Sequence, residues 1–546
     1  MLRRLSLLAI SFFATALAAQ EKLVEQIEVH IVNVDVVVTD RSGKMVTGLT
    51  RDDFEVLENG KPQAITNFAE IRSDSLAPAI VNAPTTASAV PAAVRPRRFL
   101  LFIDNDSLDP SVRTEVVASM EKFVDTKMGP NDEASVVGWN RRLNILTGFT
   151  RERAALHAAL KKAGEIGSVA SFSTPLARVQ KECNSALHAM PVRTAYDTCI
   201  LAAREQTHDM TLVSRQLLGA INTTLNTMDS FEGRKVLVLA GARLPSRPGL
   251  EIFQWANNLF QPYMRGFDAP MARPDDFGLE QNRAMEAVEE SANAHNVTMY
   301  IIGASIAHEA STITSMHAVP DDGADFAFRG DTAFAFQSLA DATGGFATTR
   351  NRDFGLVFDA IARDLESYYS LAYKPAETSR REPRAITVRT KNRAYTVRTR
   401  KNWTPKTPDE QFAGRVIANI YSPASASDFE VKIKTSTPRK DGGNFVVPIE
   451  VSFSPGAITL LPVPEGLSGG FTFTLAVGNP QGGLSNVVRQ PQSITIKKEE
   501  ERGFRATPIE YPATLTLRPG ENLLSVGILD QVGRTAGFAR ATIMAQ

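Results

Sequence analysis

Two aspartates and a serine follow a short apolar run, and they are the residues of this chain best suited to hold a cation. The run is Phe99 to Ile103, and Asp104, Asp106 and Ser107 come directly after it. An apolar run of this length, bounded by polar residues, is typical of a strand buried on both faces. In a parallel sheet, ligands bind beyond the carboxyl ends of the strands. Because carboxylate and hydroxyl oxygens are the ligands of Mg²⁺ and Ca²⁺, the sequence indicates a candidate metal site at this edge.

A second interpretation of the same aspartates stays open. Ser111 to Thr126 carries apolar residues at helical spacing, so a helix is predicted soon after them. Aspartate is favoured at the start of a helix, where it accepts backbone N–H groups and complements the helix dipole. Asp104 and Asp106 therefore also fit a helix cap or a solvated loop.

The segment from Arg98 to Tyr368 alternates apolar runs with helical periodicity. This pattern predicts a doubly wound, mostly parallel sheet covered by helices on both faces. Two stretches, 244–280 and 304–330, interrupt the alternation and are predicted to be loops or insertions at one rim of the sheet, where function is common.

The segments on either side of the α/β segment are predicted to be β-structure. Val24 to Ile71 alternates apolar and polar residues and contains Asn59-Gly60, a strong hairpin signal. A second set of strands is predicted over Ser370 to Arg400, and an all-β sandwich over Phe429 to Gln546. Each of the first two sets is small for an independent core. We therefore expect them to pair into one discontinuous β-sandwich, with the α/β domain inserted between them.

The predicted fold is thus multidomain, α/β plus all-β, with a doubly wound sheet flanked by β-sandwich modules. The predicted units are a signal peptide at 1–19, an N-terminal β module at 20–72, a linker at 73–97, the α/β domain at 98–369, strands pairing with the N-terminal module at 370–403, a hinge at 404–428 and a C-terminal β-sandwich at 429–546.

The amino terminus predicts export. Arg3 and Arg4 precede a nearly continuous apolar run from Leu5 to Leu17, and Ala16-Leu17-Ala18 is a small-x-small cleavage pattern. The run is shorter than the ~20 residues that a spanning helix needs, which favours a cleaved signal peptide over an uncleaved anchor. We expect an exported protein, periplasmic or extracellular, without a transmembrane segment after cleavage.

Export bears on the two cysteines of the chain, Cys183 and Cys199. In an oxidising compartment, an even number of cysteines at short spacing favours a disulfide. The alternative is a pair of buried free thiols. A zinc site is not indicated, because His188 stands alone near them.

The net charge of the chain and the motifs that it lacks exclude several classes of function. Lys+Arg and Asp+Glu both number 60, so the chain has no basic excess with which to bind nucleic acid. It shows no Gly-x-Ser-x-Gly nucleophile elbow, no glycine-rich phosphate loop before a helix and no H-E-x-x-H spacing. We therefore expect a protein-binding or scaffold protein and not an enzyme. The alternative is a secreted or periplasmic enzyme with an unrecognised site in the loop insertions.

Five short segments, taken in order, carry a family resemblance over about Val24 to Trp403. They are Val34–Phe54, which ends in Gly48-Leu49-Thr50-Arg51-Asp52-Asp53-Phe54, and then Leu101–Ser107, Gly129–Asp132, Gly233–Leu239 and Tyr368–Pro375. The chain resembles the von Willebrand factor A fold, and specifically the group of VWFA-related acidobacterial domain proteins. The resemblance implies a doubly wound sheet that presents a metal-ion-dependent adhesion site at its top.

That site in the family uses an Asp-x-Ser-x-Ser loop, a threonine from a second loop and an aspartate from a third. Asp104 matches the first aspartate, and Thr194 matches the threonine. Asp106 stands in place of the first serine, whereas Leu108 and Ala240 stand where the second serine and the last aspartate belong.

The resemblance thus implies a degenerate site. Asp104, Asp106 and Thr194 would hold Mg²⁺ or Ca²⁺ weakly, with several waters completing the coordination. A protein partner is implied at the top of the sheet, on the loops near Ser107 and Gly241.

Overall fold

The computed structural model describes residues 31–72, 96–168, 175–228, 233–263, 277–304, 322–349, 353–375, 382–405, 407–421, 427–464, 466–480, 484–485 and 487–546. The predicted signal peptide and most of the predicted linker lie outside these residues, so both stay predictions.

The described chain begins with four strands. They are β1 Val32–Thr39, β2 Phe54–Glu58, β3 Lys61–Gln63 and β4 Ile65–Arg72. Asn59 and Gly60 join β2 to β3 with φ of 49° and 77°. Positive φ at both central residues is what a tight two-residue hairpin requires, and Asn-Gly adopts it at little cost.

An α/β segment follows. Its strands are β5 Arg98–Asp104, β6 Glu133–Trp139, β7 Leu143–Thr150, β8 Lys235–Gly241, β9 Val297–Gly303 and β10 Ala347–Thr348. Its helices are α1 Pro110–Thr126, α2 Arg153–Glu165, α3 Pro175–Ala189, α4 Val192–Asn226, α5 Leu250–Phe260, α6 Phe277–Ala294, α7 Asp322–Ala342 and α8 Phe354–Glu366.

The six strands form one sheet in the order β10-β9-β8-β5-β6-β7. All neighbours are parallel except β7, which runs antiparallel to β6. Alternate residues of β5 enter two separate apolar cores, Phe99 and Leu101 on one face, Leu100 and Phe102 on the other. The sheet is therefore covered on both faces, as the alternation of strands and helices predicts.

The predicted loop stretches are wrong in part. The stretch 244–280 contains the whole of α5, and α7 begins inside the stretch 304–330. Several prolines in the first stretch favour a loop, but between them Ile252, Phe253, Ala256 and Phe260 stand at helical spacing, and all four are buried. Helix α3 was not predicted at all.

The chain then returns to β-structure. The strands are β11 Ser367–Tyr373, β12 Arg384–Thr390, β13 Thr396–Arg398 and β14 Asn402–Trp403. Strand β11 lies between β1 and β4, and β12 lies between β2 and β14. One apolar core takes residues from both sheets, among them Val34, Val56, Leu371 and Ile386. The strands before the α/β segment and the strands directly after it thus share one apolar core.

The remaining elements are α9 Pro408–Tyr421, β15 Val431–Thr435, β16 Arg439–Asp441, β17 Asn444–Phe453, β18 Leu461–Val463, β19 Gly466–Gly478, β20 Val488–Ile496, α10 Glu501–Ala506, β21 Ile509–Leu517, β22 Gly520–Asp530 and β23 Ala536–Ala545. Strands β15, β16, β17 and β21 form one sheet, and β18, β19, β20, β22 and β23 form another. Both sheets contribute to a common apolar core, and α9 packs on the second sheet. Within the described residues, no helix is both long and apolar enough to cross a membrane.

Candidate functional site

The candidate site lies at the carboxyl edge of the central sheet. Strand β5 pairs with β6 on one side and β8 on the other, and its last residue is Asp104. Asp104 and the two candidate residues of the loop that follows are nearly inaccessible: Asp104 is 1% exposed, Asp106 9% and Ser107 7%. Because buried polar groups need partners, the contacts of these three side chains define what the site can do.

Ser107 links the loop after β5 to the loop after β8. Its hydroxyl donates to Asp104 Oδ2 at 2.5 Å and accepts the backbone N–H of Ala242 at 2.8 Å. Gly241 lies so close that a Cβ there would be 3.3 Å from Asp104 Oδ2. The structure therefore brings together the two loops, near Ser107 and Gly241, that were predicted to form the partner-binding top of the sheet.

The interpretation of Asp104 and Asp106 as helix caps is wrong. The residue that caps α1 is Asp109, whose side chain accepts the backbone N–H of Ser111 at 2.9 Å. Asp104 Oδ1 instead accepts the N–H groups of Asp106 and Ser107, at 3.1 and 3.3 Å, and so closes its own turn before the helix. The low exposure of both aspartates also rules out a solvated loop.

Asp106 is paired with an arginine. Arg141 Nε donates to Asp106 Oδ2 at 3.1 Å, and the Ser168 hydroxyl lies 3.3 Å from the other carboxylate oxygen. Arg141 sits in the short β6–β7 turn with φ of 64°, a conformation that non-glycine residues seldom adopt. The turn thus directs a guanidinium to a carboxylate that the resemblance assigns to a metal.

Charges of both signs meet at the site. Burial raises the pKa of the Asp104 carboxyl to about 7, and the neighbouring Asp106 carboxylate adds to the rise against the effect of the Ser107 hydrogen bond. Arg243, two residues beyond Gly241, interacts electrostatically with Asp104 and Asp106, although burial lowers its own pKa. Arg141 therefore contacts one of the two carboxylates, and Arg243 interacts electrostatically with both.

The proposed metal ligands are only partly brought together. Asp104 and Asp106 are adjacent, but Thr194 lies exposed in the first turn of α4, and no hydrogen bond joins it to either aspartate in the part of the chain that the structure describes. The prediction that Thr194 lies in a loop is wrong, because α4 begins at Val192. Leu108 and Ala240, at the two lost ligand positions, are buried in the apolar core.

The side chains at the site therefore offer few ligands to a metal ion. Among the described residues, no group of three or more His, Cys, Asp or Glu side chains could hold a metal ion. Mg²⁺ and Ca²⁺ prefer several oxygen ligands, and here one of two carboxylates is already engaged by a guanidinium. The residues present fit a tightly bound divalent cation poorly.

The disulfide between Cys183 and Cys199 is present, with Cα atoms 4.7 Å apart, and the prediction of a bridge is confirmed. It joins α3 to α4, and both cysteines are fully buried in a small apolar cluster with residues of α5. The alternative of two free thiols is therefore wrong.

Sequence reasoning missed the two arginines. Neither Arg141 nor Arg243 is singled out by the sequence patterns considered above. A signal for both exists: each lies two residues after a strand that pairs in parallel with β5, and so at the same edge of the sheet as Asp104. Arginines at that edge deserve the same weight as aspartates.

Comparisons with known proteins give weak likenesses. No protein-family model matches the chain, and no curated protein matches it. The von Willebrand domain of the type V pili tip protein Mfa5 from Porphyromonas gingivalis is 12% identical, with 50% of this chain and 96% of that chain covered and a TM-score of 0.29. A von Willebrand factor type A protein from Catenulispora acidiphila is 10% identical, with 90% and 72% covered and a TM-score of 0.24.

A structure of three N-terminal domains of the same Mfa5 protein is 11% identical, with 94% of this chain and 77% of that chain covered and a TM-score of 0.26. Likenesses at this level say nothing about the site or its ligand. The order and direction of the six strands show a doubly wound sheet whose first strand, β5, ends in Asp104.

Proposed function

We propose that this chain is a binding protein, which engages a protein partner through the loops at the carboxyl edge of its von Willebrand A-like domain without a tightly bound metal. The β-structured parts on either side act as its scaffold. The finer assignment to the VWFA-related acidobacterial group, which rests on the sequence resemblance, is part of this proposal.

One observation carries the proposal: the loops after β5, β6 and β8 are held together at the top of the sheet. Ser107 bonds to Ala242, Arg141 bonds to Asp106, and Asp104 closes its own turn. A surface whose loops are fixed in advance loses less conformational entropy when a partner binds. Ligands of open α/β sheets bind at this edge, so the fixed loops lie where a partner is expected.

The test is to block this surface sterically. Arg142, exposed in the β6–β7 turn, is replaced (Arg142→Cys) and modified with a 5 kDa polyethylene-glycol maleimide. The native cysteines do not react, because they are disulfide-bonded. The full chain is immobilised and incubated with cell-envelope extract, once with Mg²⁺ and once with chelator. Capture of a defined partner should be lost in the modified protein and should be equal with Mg²⁺ and chelator.

A matched control carries the same label on the C-terminal part of the chain. Lys498→Cys, exposed and remote in sequence from the α/β domain, should retain capture after modification. Capture that survives the label at residue 142 and is lost with the label at 498 would place the binding surface on the β-structure and refute the proposal. Capture that needs Mg²⁺ would refute its metal independence.

Export is a further part of the proposal. The buried disulfide fits an oxidising compartment, where such bonds persist. If the predicted signal peptide is cleaved, mass spectrometry of the protein from the envelope or the medium should find an amino terminus at Ala19 or Gln20. A protein that keeps Met1 and stays in the cytoplasm would contradict this.

One observation favours the enzyme alternative. Glu251 lies within the stretch 244–280, and burial raises the pKa of its carboxyl to about 7, with Asp331 nearby adding to the rise. A carboxyl that titrates near neutrality is suited to general acid–base chemistry. Loss of a measured hydrolytic activity in Glu251→Gln would support an enzyme.

A further inference from the structure

A cluster of buried polar side chains lies where the α/β domain meets the strands that follow it. Arg234 directly precedes β8, Tyr300 lies in β9, and Asp364 lies near the end of α8. Arg234 is 5% exposed, Tyr300 0% and Asp364 5%. Arg398, the last residue of β13, reaches the same place and donates to Asp364 Oδ1 at 2.6 Å. These four residues form the junction cluster.

Aromatic rings hold the two guanidiniums of the junction cluster. Cζ of Arg234 lies over the ring of Tyr368, near the start of β11, at 4.1 Å from the ring centre. Cζ of Arg398 lies 5.5 Å from the centre of the Phe346 ring, and that ring lies 5.1 Å from the ring of Tyr300. Tyr300 is also near enough to both guanidiniums to interact with them electrostatically. The two arginines therefore belong to one site.

Most of the hydrogen-bond donors at this site are unused. Nε and Nη1 of Arg234, Nη1 of Arg398 and the hydroxyl of Tyr300 are buried and have no hydrogen-bond partner among the described residues. Asp364 Oδ2 is buried and unpaired as well. Because buried polar groups in folded proteins nearly always have a partner, unpaired ones point to water or an ion. The unpaired atoms are mainly donors, which favours an acceptor as their ligand.

The charges around the junction cluster do not cancel. Asp35 and Asp364 interact electrostatically with Arg234, and Asp35 also interacts with Arg400. Three arginines, counting Arg398, therefore meet two aspartates, which leaves an excess of one positive charge. A buried guanidinium without a compensating charge costs several kcal/mol. One monovalent anion would neutralise the excess.

We propose that the junction cluster binds one chloride ion, which accepts hydrogen bonds from the guanidiniums of Arg234 and Arg398 and from the hydroxyl of Tyr300. Tyr368 covers a face of the Arg234 guanidinium and so leaves the N–H groups in its plane for the ion. Chloride matches the single excess charge, whereas a phosphate group would bring up to about two.

The chloride ion would link two parts of the chain. Arg234 and Tyr300 belong to the α/β domain, and Arg398 belongs to β13, which pairs with β1 of the strand set beside it. The ion would therefore stabilise the junction between these parts. The inference does not depend on the proposed function, because the cluster shares no residue with the loops near Ser107 and Gly241.

The solution test compares chloride with gluconate, an anion too large for a buried site, at equal sodium concentration. The melting temperature of the full chain in about 100 mM sodium chloride should exceed that in sodium gluconate by ~2 °C or more, because an ion that binds only the folded chain stabilises it. Arg234→Gln should abolish this difference. Arg363→Gln, which alters an exposed arginine of α8 next to Asp364, is the matched control and should keep it.

A variant with the opposite effect guards against misfolding as an explanation. Asp364→Asn adds one to the excess positive charge of the cluster, so the rise in melting temperature caused by chloride should become larger. Both Arg234→Gln and Asp364→Asn should lower the stability of the chain in gluconate. Lower stability alone cannot abolish the effect of chloride in one variant and enlarge it in the other.

Bromide, which replaces chloride at such sites, locates the ion. Crystals of the full chain grown in sodium bromide should give an anomalous peak beside the guanidiniums of Arg234 and Arg398. Equal melting temperatures of the wild type in chloride and gluconate would overturn the inference and leave water as the ligand of these donors. A bromide peak without a chloride effect in solution would mean an adventitious ion only. A chloride effect that persists in Arg234→Gln would place the ion elsewhere and would also overturn the inference.

Discussion

Asp104 and Asp106 are the two strongest candidate metal ligands, and both already have partners within the protein. The Ser107 hydroxyl and two backbone N–H groups bind Asp104, and Arg141 binds Asp106. A cation entering this site would have to displace a guanidinium or share a carboxylate with it. This exchange costs free energy, because the ion also loses its own hydration shell when it binds.

The first prediction concerns this competition. Addition of 1 mM Mg²⁺ or Ca²⁺ should leave the melting temperature almost unchanged, because a dissociation constant of 1 mM or weaker stabilises by at most ~0.4 kcal/mol. Isothermal titration calorimetry should likewise show no tight binding. A micromolar affinity that disappears in Asp104→Ala would prove this prediction wrong and would restore a functional metal site.

The second prediction concerns pH. Burial raises the pKa of the Glu251 carboxyl to about 7 in the folded chain, from 4.5 for an exposed glutamate. Between these values the folded protein binds more protons than the unfolded chain, so its stability falls as pH rises from ~4.5 to above 7. Glu251→Gln should remove that loss, which is at most roughly 3 kcal/mol at 1.4 kcal/mol per pKa unit. Thermal unfolding at pH 5 and pH 8 measures it.

Asp104 titrates in the same interval, because its pKa is also raised to about 7. The slope in Glu251→Gln should therefore be reduced and not abolished, and a second change, Asp104→Asn, should flatten it further. Glu286→Gln, which alters an exposed glutamate of α6, is the matched control and should keep the wild-type slope. An unchanged slope in Glu251→Gln would show that this carboxyl is not the group responsible.

At the scale of elements, the α3–α4 pair depends on its disulfide. Met190 and Pro191 alone separate the two helices, and the bridge between Cys183 and Cys199 lies in an apolar cluster that includes Phe253 and Phe260 of α5. This cluster is distinct from the two cores that cover the sheet. The pair is therefore part of a small packing unit of its own, which one covalent bond cross-links.

The third prediction follows from that arrangement. Replacing both cysteines by serine should lower the stability of the α3–α4 pair by ~3 kcal/mol on the chain-entropy model, since the bridge closes a loop of 16 residues. Limited proteolysis should then cleave within 175–203 earlier than elsewhere in the α/β domain. Thiol labelling of the wild type under denaturing, non-reducing conditions is the control, and two reactive thiols there would contradict the bridge itself.

The elements predicted from sequence and those missed differ in a physical way. Strands such as β5 and β8 contain continuous apolar runs of five residues, Phe99–Ile103 and Val236–Ala240, which have few alternatives to a buried parallel sheet. Helix α3 has buried residues only at Val179, Cys183 and Ala186, a stripe too narrow to stand out in a polar sequence. Its position depends on packing against α4, which no local pattern encodes.

The same difference applies to the site. Asp104 and Asp106 could be found because two carboxylates after an apolar run form a local pattern. The pairing of Arg141 with Asp106 spans 35 residues and depends on β6 and β7 turning back beside β5. Such a contact follows from the sheet order, so it could be predicted only once the topology was known.

At the scale of the whole molecule, the two strand sets around the α/β domain are joined by a buried polar cluster. Glu58 of β2 accepts hydrogen bonds from Tyr373 at 2.8 Å, from Arg384 at 3.0 Å and from Trp403 at 3.2 Å. All three partners come from beyond the α/β domain in sequence. Removing them would leave a buried carboxylate without its cation, which typically costs 3–5 kcal/mol.

The last prediction is that the N-terminal strands cannot keep their fold without the later ones. In the structure Val34 pairs with Leu371 across β1 and β11, and Val34, Val36 and Val38 are buried. Deleting 370–400 would expose these valines and remove Tyr373 and Arg384, two of the partners of Glu58. Residues 31–72 should therefore become sensitive to protease while they resist in the full chain. A chain that ends at residue 405 is the matched control, because it lacks α9 and the C-terminal sheets but keeps every partner of β1 and β2. It should resist as the full chain does. Equal resistance of 31–72 in the deletion variant would mean that the N-terminal strands are stable alone, and the discontinuous domain would then be a packing contact between two independent units.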